Sequence, residues 1–131
     1  MNLPRSISSQ GKILNITVEM HMETVKFGRD YELTTRVFDG SIPGPTIRVK
    51  PGDKFNITFL NSLTEQENVV ETHNDFQLPD TANLHFHGGW MSGELPSDDV
   101  THPVKPGESF DYIQGALFYK KMRKFLVKIH Y

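Results

Sequence analysis

At 131 residues the chain has room for one domain with a closed core and not for two. Its 14 basic and 16 acidic side chains nearly cancel, which removes the electrostatic case for a nucleic acid or an anionic membrane surface as partner. Cysteine is absent, so disulfides and thiolate metal ligands are excluded.

The opening MNLPRSISSQGK has no apolar core of the kind a signal peptide carries, and no stretch approaches the length of a membrane span. The expectation is a soluble chain without a visible export signal. From residue 13 the pattern changes. Leu14, Ile16, Val18, Met20 and Met22 alternate with Asn15, Thr17, Glu19 and His21, the period of a half-buried strand, which leaves His21 on the wet face. Tyr31, Leu33, Thr35 and Val37 form a weaker alternation closed by the turn pair Asp39-Gly40. Ile42-Pro43-Gly44-Pro45 interrupts any ladder, and Ile47 and Val49 begin another short strand.

Pro51-Gly52-Asp53 reads as a tight turn, followed by Phe55, Ile57 and Phe59 on one face of a strand. The acidic, polar stretch 61–80 lacks periodicity and reads as a long loop with His73 in solvent. A strand around His85, a Gly/Ser/Pro-rich loop to Asp99, a Pro106-Gly107 turn and a short strand through Phe110 and Tyr112 complete the series. Many short strands with turn punctuation and no helical period predict an all-β Greek-key sandwich. Asn15-Ile16-Thr17 and Asn56-Ile57-Thr58 are glycosylation sequons on the polar faces of their strands, a weak pointer to secretion.

The chemistry concentrates at Leu84-His85-Phe86-His87-Gly88. On an extended segment, side chains two apart leave the same face about 6–7 Å apart, so His85 and His87 aim together while Leu84 and Phe86 anchor the other side. Imidazole pairs of this kind suit copper, zinc, iron or nickel, and the spacing does not choose among them.

Around this motif stand Asp39-Gly40-Ser41-Ile42-Pro43-Gly44-Pro45-Thr46-Ile47, Lys50-Pro51-Gly52-Asp53, Asn61-Ser62-Leu63 and Lys105-Pro106-Gly107-Glu108-Ser109-Phe110. The ordered set resembles the N-terminal plastocyanin-like (cupredoxin) domain of the multicopper oxidases, the family of laccases, ascorbate oxidase and bilirubin oxidase. The resemblance spans residues 13–114, with 1–12 as a lead and 115–131 as a tail outside it. It implies copper as the metal, His85 as a ligand of a type 2 copper and His87 as a ligand of one copper of a type 3 pair. It further implies Asp98 as an acidic residue beside the copper cluster, able to hydrogen-bond cluster water and relay protons, with Asp99 as the neighbouring candidate. The partners it implies are copper ions, a small-molecule or metal reductant and oxygen, and it makes an extracellular setting the family expectation.

The chain also departs from that pattern. The further histidine motifs of a complete multicopper oxidase, including the second pair expected in the first domain, are missing. A copper held by two imidazoles is coordinatively unsaturated, and the electron-entry copper of such oxidases needs a thiolate. Residues 115–131 carry five basic and no acidic side chains, unlike the acidic body before them, and His130 stands there without a partner histidine. The expectation is therefore a sandwich incomplete at its C-terminal end: a copper-binding N-terminal domain or fragment, inactive as an oxidase by itself. The alternatives are a non-enzymatic copper-binding module, with a third donor from His102, Met91 or a partner chain, and an inactive structural remnant. Trp90 reads as a packing residue at the end of the sandwich.

Overall fold

A computed structural model describes residues 4–50, 52–65, 80–87, 91–115 and 125–128, with 114–115 and 125–128 described through their backbone. Seven strands form: β1 (Ser6–Ser8), β2 (Ile13–Phe27), β3 (Tyr31–Phe38), β4 (Thr46–Val49), β5 (Lys54–Asn61), β6 (Ser109–Gly115) and β7 (Phe125–Lys128). Among the described residues there is no helix. One sheet has the order β3-β2-β5-β6 and the other β1-β4-β7.

The alternation that begins at Leu14 builds the larger sheet. β2 and β5 run parallel with Leu14 opposite Phe55, Ile16 opposite Ile57 and Val18 opposite Phe59, so both strands turn their apolar rows to the same side. β6 continues the row antiparallel, placing Tyr112 opposite Ile57 and Phe110 opposite Phe59. From the smaller sheet, Ile47 and Val49 of β4 enter the same buried cluster, joined by Leu84, Phe86 and Val104 from outside the strands. Two layers closed over one apolar core make this a β-sandwich of the cupredoxin kind.

The Asp39-Gly40 signal becomes a two-residue hairpin loop. Phe38 and Ser41 exchange their backbone hydrogen bonds at 3.2 Å, and both central residues have positive φ, 50° and 69°. Glycine fits the second of these positions because a side chain there would be strained and would press on the Glu23 carboxylate, 3.3 Å from where its Cβ would sit. Asp39 adds its own contacts, accepting the Glu19 N–H and the Arg5 guanidinium, each at 2.9 Å.

Three sequence expectations need correction. The alternation on β3 does not divide its faces evenly: Tyr31 and Leu33 are exposed whereas Val37 and Phe38 are both buried. The reason is length, since β5 pairs only with Ile13–Met20, and among the described residues the remainder of β2 and the start of β3 form a two-stranded ribbon without a third strand. His21 is not a plain surface histidine, because its ring is half-buried and Nδ1 is enclosed without a hydrogen-bond partner among the described residues. The basic tail is not all foreign to the sandwich either: β7 pairs antiparallel with β4, Val127 opposite Ile47. Residues 66–79 with His73, residues 88–90 with Gly88 and Trp90, and His130 lie outside the described residues.

Candidate metal centre

The sequence predicts a strand around His85; among the described residues the segment is extended without joining a ladder beyond one bridge, Ala82 to Val104. Side chains take over where neighbouring strands would have served. The Leu84 N–H donates to the Tyr112 hydroxyl at 3.1 Å and the Phe86 N–H to Asp98 Oδ1 at 3.1 Å. Burial of Tyr112 raises the pKa of its hydroxyl above the usual tyrosine value, so it remains neutral beside the Leu84 amide.

The alternation expected along this segment is present without the ladder. Leu84 and Phe86 are buried, with the Phe86 ring edge-on to Phe55 at 5.6 Å, while His85 and His87 stand exposed on the other side. The two imidazoles lie together, with ring centroids 4.6 Å apart and planes inclined by 74°.

Asp98 and Asp99, adjacent in sequence, do different things. The Asp98 carboxylate reaches His85 Nδ1, 3.0 Å from Oδ2, and is held in place by the Phe86 amide and by its own N–H, which donates to Ser92 O at 2.9 Å. Asp99 instead closes a local turn, accepting the Thr101 N–H at 2.8 Å and hydroxyl at 2.7 Å, and these bonds hold its pKa below the usual carboxylate value. His102 packs its ring on Phe110, with centroids 4.3 Å apart, and Met91 packs against the core. Among the described residues no group of three His, Asp or Glu side chains converges on one point.

Asn61 has a part that its place in the sequence does not announce. Fully buried at the end of β5, it donates from Nδ2 to the carbonyls of Asp80 at 2.7 Å and Val104 at 2.9 Å, and its Oδ1 accepts the Leu63 N–H at 3.1 Å. It thereby pins the start of the histidine segment to the strand that precedes it. A polar residue closing an apolar alternation, Phe55-Ile57-Phe59-Asn61, was the signal that could have found it.

An acceptor at His85 Nδ1 puts the ring's proton there and leaves Nε2 as the donor atom for a metal. Two neighbouring imidazoles, one oriented by a carboxylate, fit part of a copper coordination sphere and do not fill it.

A cupredoxin-like sandwich bearing a paired-imidazole motif is the class that this geometry defines. Residues 19–117 match the family described as multicopper oxidase, and the chain belongs to that family. It is 35% identical to Laccase-7 of Arabidopsis thaliana over 82 residues, 58% of this chain and 12% of that protein. It is 29% identical to oxidoreductase ptaE of Pestalotiopsis fici over 110 residues, 79% of this chain and 15% of that protein. With dihydrogeodin oxidase of Aspergillus terreus it shares 30% identity over 107 residues, 81% of this chain and 16% of that protein. The chain thus spans a small part of the length of these relatives, and the family it belongs to is one of copper enzymes.

Proposed function

We propose that residues 13–114 form the plastocyanin-like copper-binding domain of a multicopper oxidase and that His85 and His87 are its metal ligands. The observation that carries this reading is the imidazole pair itself, with rings 4.6 Å apart on the exposed side of a segment whose other side is anchored in the core. On the family pattern His85 serves a type 2 copper and His87 one copper of a type 3 pair. Copper, when bound, supplies the redox chemistry by which a small reductant is oxidised and oxygen is reduced to water. The protein's own part is orientation and proton handling. Asp98 holds the His85 ring with Nε2 outward, and its carboxylate is a proton acceptor adjoining the pair.

The test is titration of the purified chain with Cu(II), followed by calorimetry and by electron paramagnetic resonance for nitrogen hyperfine structure. Tight uptake with an imidazole signature, lost in His85→Ala combined with His87→Ala, is the expected result. Unaltered uptake in the double variant would remove the basis of the proposal. Oxidase activity with a phenolic reductant is expected only when the missing histidine and cysteine donors are supplied by further sequence, because two imidazoles leave the copper sphere open.

A further inference from the structure

We propose that the Tyr112 hydroxyl is a positioning group of the metal centre: by accepting the Leu84 N–H it fixes where His85 stands relative to His87 and so sets the affinity for copper. The inference rests on the reading of His85 and His87 as ligands and adds to it a side chain on a strand of the larger sheet.

The backbone of the histidine segment is held at every second residue, as the edge of a strand would be, but each rung comes from a different part of the chain. The Asp80 carbonyl accepts Asn61 Nδ2 at 2.7 Å, Ala82 exchanges bonds of 3.1 and 2.8 Å with Val104, the Leu84 N–H donates to the Tyr112 hydroxyl at 3.1 Å, and the Phe86 N–H donates to Asp98 Oδ1 at 3.1 Å. The last two rungs flank His85. With both in place the chain through His85 stays extended, which is the condition for its ring to leave the same side as that of His87.

Tyr112 is the anchor of the pair that sits in the sheet. It is fully buried on β6, opposite Ile57 of β5, with its ring edge-on to Phe110 at 4.9 Å. Asp98 lies on a loop that itself depends on β6, because the N–H of Ile113, the next residue after Tyr112, donates to Pro96 O at 2.8 Å. Adjacent residues of one strand thus hold the segment that carries His85 and the loop that carries the carboxylate at its Nδ1. The large buried rings of β5, Phe55 and Phe59, have no oxygen. A hydroxyl in such a core costs stability unless it is bonded, and here its bond goes to the residue before the first ligand.

Tyr112→Phe removes the oxygen and keeps the ring. Calorimetric titration with Cu(II) should show binding weakened about tenfold, the lower end of what losing a ligand's outer partner costs, and electron paramagnetic resonance should show a heterogeneous nitrogen hyperfine pattern. Val37→Ala, in the buried part of β3 at the other edge of the sheet, lowers stability away from the segment and should bind copper like the unaltered chain. A second reading uses the unaltered chain alone: by reciprocity copper must secure the Leu84 amide, so mass spectrometry should find its hydrogen exchange slowed about tenfold on copper loading, relative to the amides of β2. A third needs no metal. Nuclear Overhauser contacts between the His85 and His87 rings should be present in the unaltered chain and weaken in Tyr112→Phe. A chain that takes up no copper removes the ligand assignment, and these ring contacts then decide the positioning role by themselves. A folded Tyr112→Phe with undiminished affinity or unchanged ring contacts would overturn the proposal, as would an equal loss of affinity in Val37→Ala, which would assign the effect to stability. Should Tyr112→Phe fail to fold, a Leu84 amide whose exchange copper leaves unaltered overturns it.

Discussion

Asp98 clasps the back of His85: Nδ1 lies 3.0 Å from Oδ2 and 3.1 Å from Oδ1, and Oδ1 simultaneously takes the Phe86 N–H. One carboxylate thereby sets both the ring of the first candidate ligand and the backbone that leads to the second. Removing it in Asp98→Ala should weaken Cu(II) binding about 10–100-fold, the usual cost of losing a ligand's outer partner. Isothermal titration calorimetry measures this, and an affinity equal to that of the unaltered chain would show that Asp98 does not orient the ligand.

Phe86 connects the same site to the core. Its buried ring meets Phe55 edge-on at 5.6 Å, directly behind the imidazole pair. Phe86→Ala should cost about 3–5 kcal/mol of unfolding free energy, since the surrounding strands can only partly collapse into the space. Urea denaturation gives the number, and a loss under about 1 kcal/mol would mean that the ring is not packed as described.

Asn61 is the polar hub of the interior. Asn61→Ala would remove the amide donor to the Asp80 and Val104 carbonyls and the acceptor of the Leu63 N–H, and a buried polar group left unsatisfied costs roughly 1–3 kcal/mol. The expected result is a large drop in the urea midpoint. A second readout is faster amide exchange at Ala82 and Val104, whose mutual bonds of 3.1 and 2.8 Å lie next to the Asn61 contacts.

Asp53 makes stability depend on acid. The Ser9 hydroxyl bonds its carboxylate, the Lys50 N–H donates to Oδ2 at 3.1 Å, and the charges of Lys50 and Lys12 act in the same sense, so its pKa lies below the ordinary aspartate value. A depressed native pKa stabilises the fold above the unfolded value near about 3.9 and ceases to do so as pH falls through the native one. Thermal melts between neutral pH and pH 2 should therefore show Asp53→Asn less stable than the parent at neutral pH, with the gap closing as the acid limit is reached. A gap independent of pH would assign the effect to the hydrogen bonds alone.

Much of this molecule is legible in the residue pattern because burial in a sheet has a period of two. Leu14-Val18-Met20 and Phe55-Ile57-Phe59 could satisfy that period only as strands with those faces inward, and they lie inward. The Asp39-Gly40 pair marked a hairpin because few residues accept positive φ. The turn before Glu108 was legible for a related reason: the Glu108 N–H bonds Lys105 O at 3.0 Å across a glycine with φ of 78°. Side-chain alternation likewise put His85 and His87 on one side. The multicopper oxidase family was legible in the order of its motifs.

What tertiary structure alone decided is where polar groups find partners across long stretches of chain. No local pattern says that the carboxylate 13 residues beyond His85, and not its neighbour Asp99, turns back to it, or that the Tyr112 hydroxyl takes an amide 28 residues away. Nor does any pattern say that Asn61 closes its bonds on Asp80 and Val104, or that part of a basic tail pairs with β4. Hydrophobic periodicity is a property of neighbours in sequence. Satisfaction of buried donors and acceptors depends on which segments the closed core brings within about 3 Å, and that is settled only when the two sheets meet.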